Sequence, residues 1–157
     1  MICKKRALPA VIRSYRASGK KIVFTNGCFD IIHPGHIRIL KKARMLGDVL
    51  VVGLNSTSSV KSIKRGRPIN GFPARAEVLN AIKFVDVVCG FSEKTPEELI
   101  KKIKPDVLVK GGDWKESEIA GADFVKSIGG HVRTVPLKKG HSTTALIEKI
   151  EKHPRAG

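Results

Sequence analysis

Acidic residues are scarce in this chain: 14 Asp and Glu stand against 30 Lys and Arg, and the resulting formal charge of +16 points to anionic partners. Aromatic residues are scarce as well. One Trp and one Tyr offer little for stacking on bases, and the basic residues are spread along the chain rather than gathered in a stripe. A nucleic-acid target is therefore not expected, and a phosphate-rich small substrate is. No apolar run approaches the roughly 20 residues that span a bilayer. The basic start Met1-Ile2-Cys3-Lys4-Lys5-Arg6 is followed by no apolar signal region. No membrane contact and a cytoplasmic location are the expectations. Cys3, Cys28 and Cys89 are an odd number with no Cys-x-x-Cys pair, which excludes a disulfide framework and a zinc ribbon. At 157 residues, 41% of them hydrophobic, the chain can bury one core without such staples.

Short β-branched runs alternate with longer helical patterns, and that alternation predicts a parallel sheet covered by helices on both faces. Five strands are expected, over residues 21–25, 49–54, 85–89, 107–110 and 131–136, each apolar in its middle as doubly covered strands are. The first main helix should start at Pro34 and stop at a left-handed cap at Gly47, burying Ile37, Leu40, Ala43 and Leu46. Further helices are expected over 73–84, over 96–103 with Thr95 as N-cap, over 118–128 and over 142–152, and one over 9–17 precedes the first strand. Residues 1–19 then form a helical extension, 20–152 the main domain and 153–157 a tail. Residues 56–72 show no periodicity and read as a mobile loop.

Chemistry concentrates where the first strand ends, in Asn26-Gly27-Cys28-Phe29-Asp30 and His33-Pro34-Gly35-His36. Ligands of open α/β sheets bind at the carboxyl ends of the strands. A helix N-terminus there presents unpaired N–H groups and a positive dipole end to a polyphosphate, and Gly35 has no side chain to block it. His33 and His36, three apart on the first turn, can donate to phosphate oxygens. Helix capping is the plainer role for either one. Zinc ligation by the pair lacks companions, since His131, His141 and the cysteines lie far off in sequence. Between residues 56 and 75 there is no acid, while Lys61, Lys64, Arg65, Arg67 and Arg75 make a basic stretch suited to a phosphate-binding flap or to a solvated surface. Gly111-Gly112 after a strand permits close backbone approach to a ligand. Asp113 can accept from a base or a sugar hydroxyl, and Trp114 can stack or pack.

These motifs resemble the cytidylyltransferase-like nucleotidyltransferases: the first signature is residues 26–36, and His141-Ser142-Thr143-Thr144 matches a second that opens the last helix. The likeness covers about residues 21–150 and is greatest to the adenylyltransferase domain of bacterial ADP-heptose synthases. That group is also matched by Asn55-Ser56 with Val60-Lys61, by Arg67-Pro68-Ile69-Asn70 with Arg75, and by Val109-Lys110-Gly111-Gly112-Asp113-Trp114. The resemblance implies a single Rossmann-like α/β domain and transfer of AMP from ATP to a sugar phosphate, D-glycero-D-manno-heptose 1-phosphate in that group, releasing pyrophosphate. It implies catalytic roles for His33, His36 and Lys61. Asn26, Gly27, Cys28, Phe29, Gly35, Lys110, Gly112, Asp113, Ser142 and Thr143 would bind the nucleotide, and Asp30, Asn55, Arg75 and Trp114 the acceptor.

Magnesium carried by ATP is the expected cofactor, with no dedicated protein metal site. No counterpart of the kinase domain of the bifunctional enzymes is expected here, so a separate sugar kinase would supply the acceptor. A homodimer is one arrangement open to the protein. Thr57, residues 71–74, His141 and Trp114 depart from the group's usual pattern around the acceptor pocket. Glycerol 3-phosphate with CTP, or a heptose phosphate with GTP, are the alternative substrates within the class. A nucleic-acid or regulatory binding module on the same fold is the alternative outside it.

Overall fold

The computed structural model describes residues 1–136 and 142–152. The β-branched runs form six parallel strands: β1 (Ile2–Cys3), β2 (Ile22–Gly27), β3 (Val49–Asn55), β4 (Val87–Phe91), β5 (Val107–Gly111) and β6 (His131–Val135), in the order β1-β4-β3-β2-β5-β6. The sequence points to five strands. The sixth, β1, has two residues, too short for any periodicity, yet it pairs Ile2 with Val88 and Cys3 with Cys89 at the sheet edge.

Among the described residues seven α-helices accompany the strands: α1 (Leu8–Ala17), α2 (Pro34–Arg44), α3 (Thr57–Ile63), α4 (Phe72–Asn80), α5 (Glu97–Ile103), α6 (Ala122–Ser127) and α7 (Thr143–Glu151). One face of the sheet packs Ile22, Phe24, Val49 and Val51 against α1, α5 and α6; the other packs Val23, Leu50, Val52 and Leu54 against α2 and α4. This alternation is the period-2 signature of strands covered on both sides. Several scarce acids pin the amino ends of the strands: Asp48 accepts from the Lys21 amide (2.8 Å), Asp86 from Leu50 (2.7 Å) and Asp106 from Ile22 (2.7 Å).

Four local expectations are corrected. Helix α2 ends at Arg44 with Met45 as C-cap, and Gly47 is needed because a Cβ there would lie 2.7 Å from Val23 Cγ2, not because it adopts a left-handed cap. Its buried stripe is Gly35, Ile39, Leu40 and Ala43, so Ile39 takes the place expected for Ile37. Pro96, not Thr95, is the N-cap of α5, without a side-chain bond. Finally, residues 57–63 form a helix where a loop is expected. Ser56 Oγ caps it by accepting from Ser59 N at 3.1 Å, and Val60 is buried beneath it. The cap residue was visible; a seven-residue helix with a single apolar anchor has too little periodicity to be seen.

From β2 the chain builds outward through β3 to β4, then crosses to the other side of β2 for β5 and β6. The reversal lies between β2 and β5, and the carboxyl ends there form the crevice in which such sheets bind ligands.

Candidate active site

The strand-to-helix turn after β2 holds the two histidines in one stack. His33 is extended (φ −143°, ψ 168°) and caps α2, its Nδ1 accepting from the Gly35 amide at 3.1 Å. In the neutral ring that bond places the proton on Nε2. The Gly35 amide is thereby used for capping. The His36 ring stacks on His33 with centroids 3.8 Å apart at 23°. Burial, helped by the charges of His33, Lys64 and Arg67, pushes the His36 pKa down to about 4, against the opposing hydrogen bond to the Ile31 carbonyl. At neutral pH His36 is uncharged, and its Nδ1 is buried with no hydrogen-bond partner. The other wall of the stack is Phe29, whose ring lies 5.1 Å from His36. Phe29 holds a left-handed backbone (φ 43°) that costs a non-glycine residue on the order of 1–3 kcal/mol, and burial of its ring beside Gly27 keeps it there.

The β5–β6 side of the crevice brings in residues distant in sequence. Thr143, at the start of α7, donates through Oγ1 to the Ile31 carbonyl (3.4 Å), joining the second signature to the first. Ser142 caps α7 by accepting from the Ala145 amide at 3.0 Å. His141 lies outside the described residues. Lys110 reaches from β5 to Asn26 Oδ1 on β2 (3.4 Å) and lies 5.5 Å from the Trp114 ring. Burial lowers the Lys110 pKa, partly offset by Cys28. The paired glycines serve two purposes. A Cβ on Gly111 would meet Ile39 Cδ1 at 2.4 Å, so its smallness serves helix packing, whereas Gly112 requires glycine through its φ of +117°. Asp113 and Trp114 are exposed, and the Trp114 indole N–H donates to the Gly111 carbonyl at 3.1 Å.

On the β3 side the structure alters the expected roles of Asp30, Asn55 and Arg75. The Asp30 side chain is fully buried and accepts from Arg67 Nε (2.5 Å), Ile69 N (2.9 Å) and Asn70 N (2.9 Å). Burial alone would raise its pKa, but these donors outweigh it and hold the carboxyl below its ordinary range. Arg75 is no exposed flap cation. It is 1% exposed within α4, donating Nε to the Asn70 carbonyl (2.9 Å) and Nη1 to the carbonyls of Cys28 (2.7 Å) and Asn55 (2.9 Å). Burial lowers its pKa, with Asp30 opposing. Asn55, also buried, donates to Ser59 Oγ at 3.0 Å. Residues 67–70 are thus fastened to the turn after β2. Lys61 is exposed on the last turn of α3. The signal that would have found Asp30 was the acid-free basic stretch itself, whose counter-charge had to come from elsewhere in the fold.

Two stacked imidazoles stand at a helix N-terminus, and Thr143 from the last helix bonds the Ile31 carbonyl of the same turn. A family model described as cytidylyltransferase-like matches residues 24–149. The chain belongs to the cytidylyltransferase-like family. It is 53% identical over 146 residues to the bifunctional protein HldE of Hyphomonas neptunium, covering 92% of this chain and 30% of that protein. To HldE of Coxiella burnetii it is 47% identical over 150 residues, covering 95% and 32%. The chain therefore spans about a third of the length of these relatives. Among solved structures, a lipopolysaccharide core biosynthesis protein from Thermoplasma volcanium superposes with a TM-score of 0.64 at 29% identity, covering 78% of this chain and all of that one. Pantoate-beta-alanine ligase from Francisella tularensis gives 0.63 at 19% identity, covering 88% and 67%, and shows the shared fold. Membership of the cytidylyltransferase-like family makes this chain a nucleotidyltransferase. No helix among the described residues is long and apolar enough to cross a membrane.

Proposed function

We propose that this nucleotidyltransferase transfers AMP from ATP to a heptose 1-phosphate, giving an ADP-heptose and pyrophosphate. The observation that carries the reading is the His33–His36 stack beneath the crevice, in a turn whose Ile31 carbonyl accepts from Thr143 of the last helix. The HldE relatives and the lipopolysaccharide-biosynthesis neighbour support the sugar. In this scheme ATP lies over the β2–β5 crevice. Asn26, Gly27, Cys28, Phe29 and Lys110 line its nucleoside side, Gly112 and Asp113 border it, and Ser142 and Thr143 lie by the phosphates. The acceptor lies between Lys61 on the β3 side and Trp114 on the β5 side.

An acceptor phosphate is ionised at neutral pH and needs no general base. Its oxygen attacks the α-phosphorus in line as the bond to pyrophosphate breaks, and catalysis is positioning plus charge stabilisation. His33 donates from Nε2, and His36 acts as a neutral imidazole. Among the described residues no group of three or more His, Cys, Asp or Glu could hold a metal. Magnesium riding on the triphosphate would neutralise phosphate charge there and take few protein ligands. A kinase activity must supply the phosphorylated sugar.

The test is pyrophosphate release over a panel of ATP, CTP and GTP against heptose 1-phosphate and glycerol 3-phosphate, for the natural chain and for His33→Ala and His36→Ala. ATP with heptose 1-phosphate should be the preferred pair, and each variant should lose about 100-fold or more in turnover, the scale for one preorganised donor. Preference for another pair would reject the assigned substrates, and near-normal turnover in both folded variants would reject the site.

A further inference from the structure

The two strongest anchors on the β3 side are the ones least able to touch a substrate. Asp30 has a side chain of 0% exposure, and its carboxylate accepts three hydrogen bonds from residues 37 to 40 positions away. Its own main-chain carbonyl accepts a fourth from Asn70 Nδ2 at 3.2 Å, and the Asn70 carbonyl in turn accepts from Arg75 Nε at 2.9 Å. Residues 67–70 are therefore laced to the catalytic turn from both sides, by a carboxylate on one and a guanidinium on the other. Lys64 and Arg67 lie close enough to His36 to act on it electrostatically. A cation on an untethered loop would give that effect up to solvent and salt.

We propose that Asp30 is a positioning residue: its buried carboxylate pins residues 67–70 across the catalytic turn and so fixes Lys64 and Arg67 beside the histidine pair, where they hold the phosphate of the acceptor. The identity of that phosphate as the acceptor's rests on the function proposed above. The pin acts on ground-state placement of one substrate, so its loss falls on the acceptor and spares ATP. A carboxylate with a merely structural role would, on removal, weaken both substrates together with the fold.

The experiment uses Asp30→Asn, which keeps the shape and removes the charge, Arg67→Gln as a second variant, and the two combined as a double variant. Amide exchange at Ile69 and Asn70 is read in the free protein. Affinity for a non-hydrolysable ATP analogue is read by calorimetry. Inorganic phosphate is then titrated into the analogue complex and followed through the histidine ring signals, and acceptor KM is taken from pyrophosphate release. In both variants the exchange should accelerate and phosphate affinity fall by about 10-fold or more, the scale for losing charge-assisted bonds. Analogue affinity should stay within about threefold, acceptor KM should rise more than kcat falls, and the double variant should be no worse than the poorer single one, as for residues acting through one contact. Unchanged exchange, parallel loss of analogue and phosphate affinity, or multiplying losses in the double variant would each overturn the proposal. If the natural chain released no pyrophosphate with any acceptor, the functional reading would fail, while the exchange and phosphate titrations would still decide the role of Asp30.

Discussion

Residues 26–36 and 56–72 meet at the carboxyl edge of the sheet, and they become ordered by different routes. The first segment follows local rules: a strand ends, a histidine caps a helix, and Pro34 opens it. The second has few such rules to follow beyond the Ser56 cap, and takes its shape from contacts with Asp30 and Arg75, far off in sequence. A segment that carries many charges is thus not mobile on that account; one buried counter-charge is enough to seat it.

The sharpest way to break this contrast is Arg75→Ala. It leaves the carbonyls of Asn70, Cys28 and Asn55 without this partner, and the chain should lose roughly 3–5 kcal/mol of stability, as when one member of a buried charged network is removed. Urea unfolding measures it; a loss below about 0.5 kcal/mol, typical of surface sites, would return Arg75 to the class of surface cations. Arg75→Lys should rescue little, because a point charge cannot reach several carbonyls in one plane.

A smaller effect should follow acidification. An unfolded His36 takes a proton near its ordinary pKa of 6.5, whereas the folded one resists until about 4, so the unfolded state binds more protons between those values. Stability should therefore fall as pH drops through that window. Asp30, held below its ordinary range when folded, adds a loss in the same direction at lower pH. Unfolding midpoints of the natural chain and His36→Asn at pH 7, 5.5 and 4.5 provide the check, and equal slopes for the two would remove His36 as the source. The smallest effect is expected of Lys61→Ala. Its unfolding should shift by less than about 0.5 kcal/mol, while the rate at low acceptor concentration falls a few-fold and becomes less sensitive to salt.

The sequence carried what depends on neighbours along the chain. The run of short β-branched segments predicts β2 to β6, the Pro34 start predicts α2, and the two histidines lie at the turn after β2 where the chain pattern places them. What it concealed depends on distance or on brevity. A two-residue edge strand has no pattern of its own. The alignment of Cys3 with Cys89 comes from a chain returning after more than 80 residues. Asp30 reads as a ligand-facing carboxylate because nothing nearby shows that the Ile69 and Asn70 amides occupy it, and Arg75 reads as a surface charge because its carbonyl partners come from three separate segments.

Phe29 sets a backbone cost against a packing gain in the turn after β2. Glycine at the same position would relieve a backbone cost on the order of 1–3 kcal/mol but would empty the space of a buried aromatic ring, a loss of roughly 3–5 kcal/mol, so selection for stability alone retains the aromatic. The relief would remove the ring standing 5.1 Å from His36 and free the backbone between β2 and the stacked histidines. Keeping the fold and keeping the shape of this turn are therefore one demand at residue 29, and a descendant lineage would be held to an aromatic there whether or not it was held to activity.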